Sequence, residues 1–243
     1  MAPVARLRAP ADTDGAALLD EAPARAPGLP SLAPAPLPAG SAPALSLPSR
    51  TAKRTLDLVL AGAALVLLMP LLALIAVLIT RDSRGPVIFR QNRVGFGNRP
   101  FQVWKFRTMT CCEDGPVVRQ ARRDDPRVTR VGRFLRRSSL DELPQLVNVL
   151  RGEMSLVGPR PHAIAHDAQY SGLIAGYPDR HAVKPGITGW AQVRGSRGET
   201  PDVAAMKHRV DLDLAYIESW SILLDLVILV MTVREIFRTH RAY

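Results

Sequence analysis

Leu58–Ile79 reads LVLAGAALVLLMPLLALIAVLI, 22 residues without a charge. As an α-helix this stretch is roughly 33 Å long, enough to cross a bilayer. Three features argue against a simple span. Pro70 lies near its centre, where it removes a backbone hydrogen bond and crowds the preceding turn, so a kink is expected. Both flanks are basic, with Arg50, Lys53 and Arg54 before and Arg81, Arg84, Arg90 and Arg93 after, so flanking charge sets no orientation. Asp57 stands at the threshold of the run, where a carboxylate needs headgroup water or a cationic partner. A helix that enters, bends at Met69-Pro70 and returns to the same face meets all three conditions. The sequence therefore predicts a re-entrant membrane helix over residues 50–82.

Residues 1–49 contain ten of the 21 prolines in a setting of Ala, Leu and Ser. With neither helical nor strand period and few aromatic or β-branched residues, they predict a disordered, partly polyproline-like tail. No apolar core follows the early arginines, so a signal peptide is not expected. The tail holds three arginines against four acids, so the net charge of +10 for the whole chain leaves +11 on the remainder. A basic folded part suggests a polyanionic partner: nucleic acid, an anionic membrane surface or phosphorylated small molecules. The two cysteines, Cys111 and Cys112, are adjacent, which excludes a disulfide framework and makes a poor zinc site.

Beyond the apolar helix, Val87–Arg90 and Phe101–Phe106 carry strand-like apolar spacing around the turn-rich VGFGNRP, so a β-hairpin is expected. Gly95 and Gly97 lack the third glycine and following helix of a dinucleotide fingerprint. In SSLDELPQLVN (residues 138–148), Ser139 and Glu142 have capping-box spacing and open an apolar helical period. Pro144 fits only if the first turn is irregular. Asp141 and Glu142 would sit at this helix start among Arg130, Arg133, Arg136 and Arg137, with Arg151 and Arg160 following. Two readings stand: an ordinary cap, or carboxylates beside an anion site, placed to bind Mg2+ or to attack phosphorus. His162 and His166 are one turn apart if helical, but nothing completes a metal set around them. Near the C-terminus, the apolar stretch from Trp220 to Phe237 is interrupted by Asp225, Arg234 and Glu235. It predicts a helix lying in the interface or packed under the globular part, with Trp220 a headgroup anchor or a core residue.

The motifs KRTLDLVLA (from Lys53), GPVIFRQNRVG, WKFRTM, LRRSSLDELPQLVNVLRGEMSLVGPRPH and KPGITGWAQVRG together resemble the bacterial sugar transferases, the polyprenyl-phosphate glycosyl-1-phosphate transferases. The resemblance covers about four-fifths of the chain. GPRPHAIAHDAQY, GWAQVRGSRGET and the ending HRAY are most similar to members that use glucose 1-phosphate and undecaprenyl phosphate. Such relatives usually carry additional transmembrane helices and a domain ahead of this region, where this sequence has its Pro/Ala tail.

The resemblance implies an α+β, mainly helical, monotopic membrane protein with a re-entrant kinked N-terminal helix, a small β-hairpin and interfacial amphipathic helices. Residues 83–243 would be a catalytic domain on the cytoplasmic face of the bacterial inner membrane. The implied partners are a UDP-sugar, undecaprenyl phosphate and membrane lipid, with no nucleic acid; homo-oligomerisation is left open. It implies Asp141 as nucleophile on the β-phosphorus, Glu142 as ligand of Mg2+, and Arg136, Arg160 and then Lys105 as phosphate contacts. The HAIAH run is associated with sugar selection, and KPGITGW is expected to border the site. UDP-galactose or a UDP-N-acetylhexosamine is the near alternative to UDP-glucose. A membrane-tethered basic binding protein is the alternative of another class, although aromatic residues are few and no nucleic-acid motif occurs.

Overall fold

The computed structural model describes residues 47–110, 125–196, 198, 200 and 202–238. The first helix, α1 (Leu47–Asp82), runs unbroken through Pro70. Leu47, Pro48 and Ser49, assigned above to the tail, form its first turn. Proline is tolerated there because the first N–H groups of a helix have no partner. The disorder expected for residues 1–46, the cysteine pair and the HRAY ending lie outside the described residues.

α1 is tied to the globular body near both ends. At its start, Arg54 donates from Nη1 to Val149 O (2.6 Å) and from Nη2 to Leu150 O (2.9 Å). These are carbonyls at the end of helix α3 (Gln145–Arg151), where a cation satisfies orphan acceptors and the helix dipole together. Asp57 is buried and accepts from Ser155 Oγ (3.1 Å) and Leu156 N (2.9 Å), so strand β3 (Ser155–Val157) takes up the carboxylate that needed a partner. At the other end, Asp82 accepts from Val131 N (3.0 Å), adding to the cap that Thr129 gives helix α2 (Arg130–Ser138). Between these ends Val66, Leu67, Met69 and Leu74 are exposed. Length and composition suit a membrane, yet the body holds both halves of the helix.

The predicted hairpin is present. Strands β1 (Ile88–Val94) and β2 (Pro100–Phe106) pair antiparallel, Ile88 opposite Phe106 and Val94 opposite Pro100. Their tip turns through Gly97 (φ 62°) and Asn98 (φ 60°), left-handed conformations that glycine and asparagine accept most readily. Val103 of β2 packs with Ala61, Leu146, Val149 and Met154, while Phe106 packs with Ile75, Ile79 and Leu135. The hairpin is thus wedged against both halves of α1. A second, parallel pair joins β3 to β4 (Gly186–Thr188), which lies within the KPGITGW stretch and was not expected as a strand. Three-residue strands carry no period that a sequence pattern can reveal.

The remaining helices are α4 (Ile164–Ser171), α5 (Trp190–Val193), α6 (Val203–Glu218) and α7 (Ile222–Arg238). Asp225, which interrupts the apolar C-terminal stretch, is buried and receives Lys53 Nζ (2.6 Å), Tyr216 Oη (2.8 Å) and the half-buried Trp220 Nε1 (3.3 Å). Ile228 packs inward with Val157 and Tyr216, while Leu223, Val227, Val230 and Val233 remain exposed. One side of α7 therefore lies under the body and another is left apolar and open. The chain is mainly helical α+β with a small antiparallel hairpin and a long apolar N-terminal helix.

Asn148 joins α3 to β2. Its side chain is fully buried, accepts from Trp104 N (3.0 Å), and donates to Gln102 O (2.7 Å) and Glu153 Oε2 (2.6 Å). Asn148→Ala strands several buried polar groups at once, so a loss of about 3 kcal/mol is expected. Thermal unfolding in detergent should show a midpoint lower by roughly 5–10 °C, and an unchanged midpoint would contradict this role.

Candidate functional site

The sequence reading made Ser139 the N-cap of a helix containing both acids. In the structure Ser139 ends α2 instead, in a left-handed conformation (φ 57°, ψ 17°) with no side-chain cap bond. A left-handed residue other than glycine is uncommon and mildly strained. Here it reverses the chain into a 3-10 turn, Leu140–Glu142, before Pro144 leads into α3. The irregular turn that Pro144 demanded is real. The capping box is not, because Glu142 points elsewhere.

Glu142 accepts from Lys105 Nζ (3.1 Å), from Arg160 Nη1 (3.0 Å) and from Arg160 Nη2. Lys105 comes from β2, and Arg160 from the loop after β3. That loop is held on several sides: Gly158 N donates to Thr188 O (2.9 Å), Gly186 N to Pro159 O (2.9 Å), and Arg93 Nη1 to Pro161 O (2.5 Å). A side-chain methyl at Gly186 would meet the backbone of Gly158, so only glycine lets the two chains approach this closely. The five residues picked from the sequence, Lys105, Arg136, Asp141, Glu142 and Arg160, thus gather at one place, four of them by direct bonds or adjacency. Arg136 takes part through its charge on Asp141.

The two carboxyls are placed in opposite electrostatic states. Burial pushes Asp141 up to about 6 with help from the negative Glu142, and Lys105, Arg136 and Arg160 oppose the rise only partly. Burial would also raise Glu142, but Arg160 and Lys105, by charge and by hydrogen bond, hold it well below the usual carboxylate range. Lys105 is itself lowered by burial, with Glu142 pulling the other way. Glu142 is therefore a fixed anion paired with two cations. Asp141 carries no such direct bond in the structure and is the freer carboxylate for chemistry.

Behind Arg160 lies a buried network that the sequence did not reveal. Arg180 Nη2 donates to Arg160 O (2.8 Å), Arg180 Nε to Asp213 Oδ2 (2.9 Å), and Arg180 Nη1 to His162 Nδ1 (3.1 Å). His162 is held well below its usual range by burial and then by the charges of Arg180, Arg209, Arg93 and Arg160, so the ring is neutral. It precedes α4, with Ala163 as N-cap, so His162 and His166 do not share a helix as the spacing suggested. Sequence reasoning also missed Arg93, Gln192, Thr232 and Glu235. Gln192, Thr232 and Glu235 line, with Glu142, Arg160 and Thr188, a cleft of about 140 Å3. The KPGITGW stretch does border this site, through Ile187 and Thr188. None of these residues forms a recognisable pattern by sequence spacing; β4, α5 and α7 bring them together.

Among the described residues no group of three or more His, Cys, Asp or Glu is assembled to hold a metal. A hard cation that takes one or two carboxylates, and completes its shell from phosphate oxygens and water, asks for less. Glu142 offers such a carboxylate: Lys105 and Arg160 use three of its roughly four acceptor sites, which leaves one on Oε2.

Residues 48–239 match the family described as Bacterial sugar transferase. The chain is similar to a UDP-glucose:undecaprenyl-phosphate glucose-1-phosphate transferase of Escherichia coli (strain K12), 55% identical over 199 residues, covering 82% of this chain and 43% of that protein. A protein of the same description from Caulobacter vibrioides (strain ATCC 19089 / CIP 103742 / CB 15) is 53% identical over 206 residues, covering 85% and 76%. A UDP-N-acetylgalactosamine-undecaprenyl-phosphate N-acetylgalactosaminephosphotransferase of Aeromonas hydrophila is 44% identical over 184 residues, covering 76% and 43%. The chain spans about two fifths of the length of the Escherichia coli and Aeromonas hydrophila relatives.

The electrostatics can be read directly by carbon NMR of labelled Asp side chains. Asp141 is expected to titrate near pH 6, against about 4 for an ordinary aspartate. Glu142→Gln removes a neighbouring negative charge and should move the Asp141 midpoint to lower pH, whereas Arg160→Gln should move it higher. A wild-type midpoint near 4, unmoved by either change, would contradict the arrangement.

Proposed function

The chain belongs to the bacterial sugar transferase family, and we propose that it moves a hexose 1-phosphate, in the first instance glucose 1-phosphate, from a UDP-sugar to undecaprenyl phosphate and releases UMP. The observation that carries this reading is the asymmetric pair: Asp141 half-buried and without an ionic bond to any described residue, Glu142 neutralised by Lys105 and Arg160. In the first half-reaction an Asp141 carboxylate oxygen attacks the β-phosphorus. The bond from that phosphorus to the bridging oxygen breaks, and UMP leaves with the electron pair. An oxygen of undecaprenyl phosphate then attacks the same phosphorus, the acyl phosphate bond breaks, and Asp141 is regenerated as a carboxylate. A carboxylate is a weak nucleophile and is repelled by a diphosphate, so cations must surround the reacting phosphate. Lys105, Arg136 and Arg160 are in place to do so. Glu142 would hold Mg2+, which when bound neutralises charge on the diphosphate oxygens.

The membrane reading rests on α1 and α7. The body holds α1 at Arg54 and Asp57 and again at Ile79 and Asp82, while the middle of the helix exposes apolar side chains. A transmembrane helix leaves its domain at one end; a helix held at both halves by one body keeps both of its ends on the same face of the membrane. The exposed apolar side of α7 lies in the same membrane surface. We read the protein as monotopic on the cytoplasmic face of the inner membrane, with the exposed middle of the unbroken α1, which contains Pro70, set into the bilayer.

A different sugar is the second reading, favoured by the N-acetylgalactosamine relative. The basic binding-protein alternative finds less support, because several cations face inward: Arg54, Arg93, Arg107 and Arg180 all donate to backbone carbonyls.

Purified protein with Mg2+, undecaprenyl phosphate and a panel of UDP-sugars is expected to release UMP, fastest with UDP-glucose. Asp141→Asn should abolish release, and without acceptor the wild type should retain sugar phosphate that hydroxylamine removes. Near-normal turnover by Asp141→Asn would eliminate it as nucleophile, and faster release from another UDP-sugar would reassign the donor. For topology, single cysteines at positions 50 and 84 should react only with reagent on the cytoplasmic side. Labelling of either from the periplasm would refute re-entry.

A further inference from the structure

Gln192 is 7% exposed, and neither its Oε1 nor its Nε2 has a hydrogen-bond partner among the described residues. A buried amide without partners is destabilising, because both its donor and its acceptor have given up water. The fold nonetheless places it deliberately. Gly189 leaves room for it: a side-chain carbon there would lie 2.8 Å from Gln192 Oε1 and would run into the Gly158 carbonyl. Gln192 lines the same cleft as Glu142 and Arg160. An unsatisfied polar group in such a place is explained most simply by a ligand that satisfies it.

The cleft also limits what that ligand can be. Its volume, about 140 Å3, is below the roughly 300–1,000 Å3 of pockets that enclose a whole drug-sized molecule, so it takes one ring. Beside Gln192 stand Thr188 and Thr232, whose hydroxyls meet at 2.7 Å, and the carboxylate of Glu235. Among the described residues no aromatic side chain lines it to stack a nucleobase. Leu143, Leu146, Ile187 and Val193 make the rest of the wall apolar, and aliphatic surface together with amide, hydroxyl and carboxylate groups suits a sugar ring, which has C–H faces and a hydroxyl rim. The ring bonded directly to the reacting phosphate is the sugar, and that phosphate belongs next to Asp141, Glu142 and Arg160.

We propose that Gln192 is a specificity-determining residue that hydrogen-bonds hydroxyl groups of the donor's sugar ring in the cleft beside Glu142 and Arg160. This rests on the transferase reading above and identifies where that site reads its sugar. The amide remains unpaired in the free protein and becomes paired when the sugar enters, so its hydrogen bonds count toward binding and selectivity rather than toward folding. A site built this way discriminates strongly against a donor that lacks the hydroxyl, since the amide is then left unpaired in the complex.

The test compares wild type with Gln192→Met, which keeps the volume without the amide, and Gln192→Glu, which keeps an acceptor and loses the donor. Three quantities are measured: UMP release from UDP-glucose and a series of UDP-deoxyglucoses, inhibition by UMP, and thermal unfolding. Expected for Gln192→Met are a KM for UDP-glucose raised about 10–100-fold, UMP inhibition unchanged, and a melting temperature equal to wild type or higher. At least one deoxy donor that wild type disfavours should be used as well as UDP-glucose by the variant. Unchanged KM and unchanged discrimination would overturn the proposal. So would UMP inhibition weakened by the same factor, which moves the contact to the nucleotide. A lowered melting temperature with every donor affected equally would make Gln192 structural and likewise overturn it; Gln192→Glu, if it folds normally, repeats the comparison. Absence of UMP release by the wild type removes the transferase reading itself, and this inference with it.

Discussion

A single apolar helix held to one body near both of its ends is the constraint on which the rest of the molecule depends. Burying a carboxylate or an ammonium group is costly unless it is paired. Lys53, Arg54, Asp57 and Asp82 all find partners on separate elements: Asp225 of α7, the end of α3, strand β3 and the start of α2. Each bond also satisfies a backbone or side-chain group that would otherwise be stranded. The hairpin fills the space that remains, with Val103 and Phe106 packed against opposite halves of α1. Because α2, α3 and β2 are fixed to the same helix, the residues they carry have little freedom relative to one another.

The active groups inherit that rigidity. Lys105 arrives on β2, the acids on the turn between α2 and α3, and Arg160 on a loop tied to β4 and to β1 through Arg93. The left-handed Ser139 is the local strain that aims the acids toward the lysine. Two adjacent carboxyls in a poorly solvated site cannot both be stable anions without cations to match. The structure divides the roles: the available cations bond Glu142, and Asp141 is left raised and without a direct ionic bond. In the proposed reaction the incoming diphosphate meets both the cations and a carboxylate that is not locked to any of them.

The sequence showed the hairpin, the long apolar helix and the paired acids among basic residues, because each rests on a local pattern. It misjudged the details where local patterns compete with long-range bonds. Ser139 and Glu142 have capping-box spacing, yet two cations distant in sequence outcompete a backbone N–H for the Glu142 carboxylate. The basic excess pointed to a polyanion but did not show which cations serve the fold itself: Arg54, Arg93, Arg107 and Arg180 bond carbonyls within it. His162 and His166 looked like one helical face, whereas only one of them lies in the helix.

What the sequence by itself determined is what covalent neighbours decide: where the apolar helix lies, that Pro70 falls within it, that two strands meet in a hairpin, and that Asp141 and Glu142 are adjacent. The motifs also carried the family. The tertiary structure alone decided which carboxylate is neutralised, which arginines face the cleft, and that β4, α5 and α7 bring Thr188, Gln192, Thr232 and Glu235 to its wall. The physical reason is that these properties depend on distance and on exclusion of water. Both are set by which elements pack against α1, and neither can be read from spacing along the chain.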